Sequence, residues 1–188
     1  GYIKISSFDE VTYDQFMKAL NDLRQQGQKG LIIDLRNNPG GLLSVVADIA
    51  DEILPEGLIY YTEDKAGHKE TCMSDAKELE IPLVILVNEN SASASEILAG
   101  AVKDHNKGKV VGTQTYGKGL VQTVFPLGDG SALKVTIAKY YTPSGVCIQG
   151  IGIEPDVIVE LSEETDNTTS EEEDVQLEKA IEVLMSQL

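Results

Sequence analysis

Apolar residues divide the chain into alternating strand-like and helix-like segments. Tyr2–Phe8 alternates apolar and polar side chains with the period of a half-buried strand. Phe16, Ala19, Leu20 and Leu23 recur at helical spacing within Tyr13–Leu23, and Gly27 follows as a stop. Gly30–Leu35 is a short apolar strand running into the turn cluster Asn37-Asn38-Pro39-Gly40-Gly41. Helical spacing resumes over Leu42–Leu54 and stops at Pro55-Glu56-Gly57. Leu58–Thr62 reads as a strand, and polar Glu63–Glu80 as a loop or hairpin. Pro82–Val87 is the most continuous apolar run, the pattern of a central strand covered on both faces. Ser93–Asp104 is helical and Lys109–Gly112 a strand. Leu120–Phe125 and Ala132–Tyr140 alternate with period two around a Gly128-Asp129-Gly130 turn. Val157–Leu161 is a last strand, and Val175–Leu188 an amphipathic helix with Leu177, Ile181, Leu184 and Leu188 on one side. Strand–helix alternation followed by strands predicts an α/β fold, a mixed sheet with helices packed on it.

Charge narrows the partners. The 188 residues carry 15 Lys+Arg against 31 Asp+Glu, a net charge of −16. Nucleic acid and anionic membrane surfaces recruit clustered cations, so neither is expected as a partner. Half of the excess sits in Ser162–Leu188, with nine acids and one lysine. Residues 162–174 therefore read as an acidic linker between a core over 1–161 and the helix over 175–188. Cys72 and Cys147 lack metal-ligand spacing, so neither a metal nor a cofactor is implied. The start Gly1-Tyr2-Ile3-Lys4-Ile5 has no signal-peptide pattern, and no apolar run reaches the roughly 20 residues of a spanning helix.

The segment Val87–Glu96 carries the most chemistry. A buried strand runs into small residues and then a helix, whose first N–H groups favour a developing anion. A serine there suits acyl transfer. The same Ser93-Ala94-Ser95-Glu96 also fits a capping box, in which the serine only caps the helix. His105 would lie about 18 Å along that helix from Ser93, and His68 stands in a polar stretch, so neither histidine is an evident base. Lys118, between glycines in Tyr116-Gly117-Lys118-Gly119, is the other candidate. A lysine that acts as a base near pH 7 must release its proton about three pH units early, about 4 kcal/mol, which desolvation can supply. Gly112–Lys118 matches G-x-x-x-x-G-K, but Gly119 replaces the Mg²⁺-binding hydroxyl and a strand pattern follows, so a nucleotide site is rejected.

Together these segments resemble the carboxyl-terminal processing proteases, the tail-specific peptidase family S41. The resemblance rests on Asp34–Gly41, Ser91–Ile97, Gly117-Lys118-Gly119 with Val121-Gln122, Tyr141–Gly145 and Gly152–Asp156. It implies a ClpP/crotonase-like fold and a serine endopeptidase cleaving near protein C-termini through a Ser–Lys dyad and an acyl-enzyme. By position, Ser93 is the nucleophile, Lys118 the general base and Gln122 its orienting partner. Ala94 and Gly40 are the oxyanion donors, with Gly41 as the alternative to Gly40, and Asp104 is a structural support. In a regular strand Lys118 and Gln122 would stand about 13 Å apart, so their contact needs a bent strand. Implied partners are substrate C-terminal tails and a PDZ domain that normally precedes or interrupts the core; homo-oligomerisation is left open. The implied location is extracytoplasmic or membrane-associated. Val146 stands where the family usually has arginine. Competing readings are a core that binds peptide without cleaving it, and an acyl-CoA enzyme of the same fold, for which no catalytic Glu pair is found.

Overall fold

The computed structural model describes residues 1–160 and 174–188. Its strands fall into two sheets rather than one. Five strands lie in the order β1-β2-β5-β6-β9, all parallel: β1 Tyr2–Lys4, β2 Leu31–Asp34, β5 Leu83–Val87, β6 Lys109–Gly112 and β9 Val157–Ile158. Four antiparallel strands form the second sheet, in the order β4-β3-β8-β7: β3 Gly57–Asp64, β4 Lys69–Ser74, β7 Leu120–Pro126 and β8 Ala132–Tyr141. The polar stretch after Thr62 is thus a hairpin: β3 continues to Asp64 and β4 returns. The segregation follows from the connections, since parallel neighbours need a crossover and hairpins make antiparallel ones.

Every residue of β2 and β5 is buried, because both faces of the parallel sheet are covered. On one face Ile33, Leu83, Ile85 and Val87 pack with helices α1 (Thr12–Gln25), α2 (Leu43–Asp51) and α3 (Ala94–Asp104). Helix α3 is enclosed, with Ala94 through Val102 all buried, and it packs on α2, β3 and β6. On the other face Ile32, Val84, Leu86 and Val111 meet helix α4, Val175–Met185. Within α4 the buried side chains are Gln176, Ala180 and Leu184, whereas Ile181 and Leu188 are exposed. Leu177 and Leu184 of the stripe read from the sequence do pack on the sheet, together with Ala180, while Gln176 is held by hydrogen bonds to the Val159 carbonyl and Arg36. Apart from Asp174, the acidic linker lies outside the described residues, as does Leu161.

Candidate active site

The turns after two neighbouring strands, β2 and β5, make the floor of the site. The chain leaves β2 through Leu35-Arg36 and turns at Asn37, whose φ is 61°. Asn37 N–H donates to Asn88 Oδ1 (2.9 Å), and Asn88 Nδ2 donates back to Asn37 Oδ1 (2.9 Å). Ser91 Oγ donates to the Leu35 carbonyl (2.8 Å). The Asn38 carbonyl accepts from Ala92 N–H (3.0 Å) and Ser95 Oγ (3.0 Å). Asn38 itself is fully buried and its Nδ2 donates to the Ile5 carbonyl (2.8 Å). Asparagine serves here because its amide both donates and accepts, standing in for backbone where no ladder continues.

Ser93 stands between these turns and α3 with φ 57° and ψ −112°, a region that residues with a Cβ rarely occupy. Ser93 and Glu96 form the capping box read from the sequence, with the Ser93 side chain turned toward the Glu96 N–H but without a cap hydrogen bond of full geometry. The Glu96 N–H donates to the Ser93 carbonyl (2.9 Å), and the Ser93 N–H donates to Glu96 Oε2 (2.8 Å). The Ser93 carbonyl is thus the firmer acceptor, and the hydroxyl is only loosely engaged. Gly40 lies directly against it: a Cβ at Gly40, where φ is 101°, would stand 2.7 Å from the Ala92 carbonyl and 2.8 Å from Ser93 Cβ. Only glycine permits that approach.

Glu96 is the hub that sequence reading missed beyond its capping role. It is fully buried. Its Oε1 accepts from Thr115 Oγ1 (2.6 Å) and Gly117 N–H (2.6 Å), and its Oε2 from Ser93 N–H and Lys118 N–H, both 2.8 Å. One oxygen thus holds the backbone nitrogens of Ser93 and Lys118 no farther apart than twice that distance. A carboxylate with four donors is satisfied without a cation, which explains how it is tolerated in the core. The missed signal was burial, which the local spacing does not reveal.

The remaining expected residues fall as follows. Lys118 is exposed, and among the described residues its Nζ makes neither a hydrogen bond nor an ion pair. Gln122 does not reach it: its Nε2 lies 3.4 Å from Thr136 Oγ1 on β8, on the far side of a bulge between Val121 and Gln122. The Gly40 N–H donates to Asn38 Oδ1 (2.9 Å). Gly41, the alternative, bridges Phe8 through its neighbours' groups: Phe8 N–H donates to the Gly40 carbonyl and Leu42 N–H to the Phe8 carbonyl. Its own N–H therefore faces away from Phe8. Among the described residues neither it nor the Ala94 N–H makes a hydrogen bond. Asp104 accepts from Ser144 N–H (2.8 Å) and holds the 142–146 turn at the opposite end of α3. His105 Nε2 pairs with the Leu58 carbonyl (2.7 Å) and His68 Nδ1 with Asp64 Oδ2 (2.9 Å), both away from Ser93.

Leu43 follows the Gly40-Gly41 turn and Val121 follows Lys118. Between them opens a cavity of about 370 Å³, with Tyr60, Cys72 and Ile137 on its apolar wall and Asp64, His68 and Glu70 on its polar one. Among the described residues no group of three or more His, Cys, Asp or Glu side chains could hold a metal ion, and no helix is long and apolar enough to cross a membrane.

Residues 1–159 match the model of a family described as Peptidase family S41. A Carboxyl-terminal-processing protease of a Synechocystis species is 44% identical over 185 residues, covering 98% of this chain and 43% of that protein. The C-terminal processing peptidase, chloroplastic, of Tetradesmus obliquus is 42% identical over 159 residues, 84% of this chain and 34% of its own length. Among solved structures, a photosystem II D1 C-terminal processing protease superposes with a TM-score of 0.80 at 41% identity, covering 85% of this chain and 42% of that one. The chain thus spans less than half the length of these relatives.

Proposed function

This chain belongs to peptidase family S41, and on that premise we propose that Ser93 and Lys118 form a dyad that hydrolyses peptide bonds near protein C-termini. The observation that carries the reading is the shared Glu96 oxygen, which joins the Ser93 and Lys118 backbones. Neutral Lys118 takes the Ser93 proton as Oγ attacks the scissile carbonyl. The resulting oxyanion sits on the N–H groups of Ala94 and Gly41. Collapse breaks the C–N bond, and the Lys118 ammonium gives its proton to the leaving amine. Water, deprotonated by Lys118, then attacks the acyl-enzyme and releases the new carboxylate and free Ser93. The cavity between Leu43 and Val121 accepts an apolar side chain of the substrate tail.

Lys118 is exposed, so the desolvation its role requires comes with the bound tail or with parts of the protein beyond this chain. Gln122 orients Lys118 only after leaving Thr136. The same exposure favours a second reading, a core that holds tails without cleaving them until it is completed. A PDZ domain elsewhere in the whole protein and an extracytoplasmic site of action belong to the same proposal. The test uses the full-length protease and a peptide with an apolar C-terminal tail. Ser93→Ala and Lys118→Ala should each reduce kcat by about 10³-fold or more. Cleavage within tenfold of the parent's in either variant sinks the dyad.

A further inference from the structure

The C-terminal helix reaches the site through one arginine. Asp34, at the end of β2, is fully buried and needs a partner there. It accepts from the Tyr2 hydroxyl (2.7 Å), from Arg36 Nε (3.0 Å to Oδ1) and Nη2 (2.7 Å to Oδ2), and from the Arg36 N–H (2.9 Å). The outer edge of the same guanidinium is gripped by Asp174, the residue before α4. Nη1 donates to Oδ1 and Nη2 to Oδ2, both at 2.7 Å, and Nη1 also reaches Gln176 Oε1 at 3.2 Å. Asp174 Oδ1 meanwhile caps α4 by accepting from Leu177 N–H (3.0 Å).

Arg36 is the last residue before the chain turns left-handed at Asn37 and enters the Gly40-Gly41 segment. Its backbone and its side chain are both fixed by the two carboxylates. Helix α4 in turn lies on Ile32, Val84, Leu86 and Val111, residues of the strands whose ends bear the site. Resting on the Ser93–Lys118 reading, we infer that Asp174 is a positioning residue. Docking of α4 locks Arg36 and with it the turn that presents the Gly41 N–H. The C-terminal helix thereby sets the competence of Ser93.

Asp174→Asn isolates this role, since asparagine caps a helix as well as aspartate does but offers Arg36 no second charge. In the full-length protein, exchange of the hydrogen-bonded amides of Asn37, Asn38 and Gly40 should rise about tenfold. The kcat on a tailed peptide, and acylation of Ser93 by a fluorophosphonate, should fall about tenfold while KM stays near the parent's and the melting temperature drops only by the few degrees that the lost charge pair costs. Arg36→Lys, which cannot fork two carboxylates, should behave alike, and the double variant should be no worse than the single ones. Unchanged exchange at Asn37, Asn38 and Gly40, or a lowered melting temperature with kcat intact, overturns the inference. Should the parent itself never acylate at Ser93, the dyad reading fails, while the exchange measurement still decides the role of Asp174.

Discussion

Replacing Glu96 by glutamine changes a single oxygen to an amide nitrogen at the point where the site is tied together. The carboxylate accepts four hydrogen bonds. Turning the new NH₂ toward Ser93 and Lys118 would set it against two backbone donors. Turning it toward Thr115 and Gly117 is cheaper, because the Thr115 hydroxyl can rotate, yet Gly117 N–H is then orphaned. Thr115 Oγ1 already accepts from Ile153 N–H (2.6 Å), so its rotation is not free. An orphaned buried donor costs about 1–3 kcal/mol, and two surviving bonds lose charge assistance worth about 1 kcal/mol each. The sum, about 4 kcal/mol, is a large part of a domain's 5–15 kcal/mol. At about 2–4 °C per kcal/mol for this size, the melting temperature should drop by about 10 °C. At 20 °C, well below that transition, Ser93 and Lys118 are no longer held in register, and kcat should fall about 100-fold. Thermal melts followed by circular dichroism and initial rates on a tailed peptide give both numbers. A melting temperature within about 2 °C of the parent's, or a kcat within threefold, would refute the hub assignment.

Gly40→Ala forces a Cβ to 2.8 Å from Ser93 Cβ at a φ of 101°; fluorophosphonate labelling of Ser93 should slow by about 100-fold, and unchanged labelling would mean the turn has room to give. Leu184→Ala removes an α4 side chain that packs on the sheet at 7% exposure, so urea unfolding should show a loss of about 2–3 kcal/mol. Burial pushes the Asp34 carboxyl up, but hydrogen bonds from Arg36 and Tyr2 outweigh it and hold Asp34 below the ordinary carboxylate range. The Arg36 hydrogen bonds likewise lower Asp174. Their stabilisation is therefore complete above that range and is lost as pH falls below about 4; melting curves from pH 6 to 2 should steepen there, and less so in Asp34→Asn. Burial pushes the Tyr140 phenol up to about 12, so its contribution is intact below pH 10 and disappears as pH rises from about 10 to about 12; Tyr140→Phe should flatten that limb in denaturant titrations.

Element identity was legible wherever burial left a period in the chain. The run Pro82–Val87 announced a strand covered on both faces, and β5 is that strand. The period-two stretches on either side of Gly128–Gly130 announced the β7–β8 hairpin. Helix α4 shows the limit of the same method. Its period of apolar residues was visible, and Leu177 and Leu184 do pack on the sheet, but Ile181 faces solvent while Ala180 takes its place in the cluster. Hydrophobicity gives the direction of a helix face only to within a turn-fraction, and the fit against β2, β5 and β6 decides the rest.

The sequence by itself determined the α/β order of elements, the family, and the residue types that could carry acyl transfer, because those are properties of neighbouring positions. Tertiary structure alone decided which of those residues meet. Asn38 Oδ1 accepts from the N–H of Gly40. Thr136 rather than Lys118 holds Gln122. A buried Glu96 joins residues from two separate turns, and Arg36 joins β2 to a helix 138 positions away. The reason is physical: a hydrogen bond is decided within about 3 Å, and only the folded chain brings such distant positions that close.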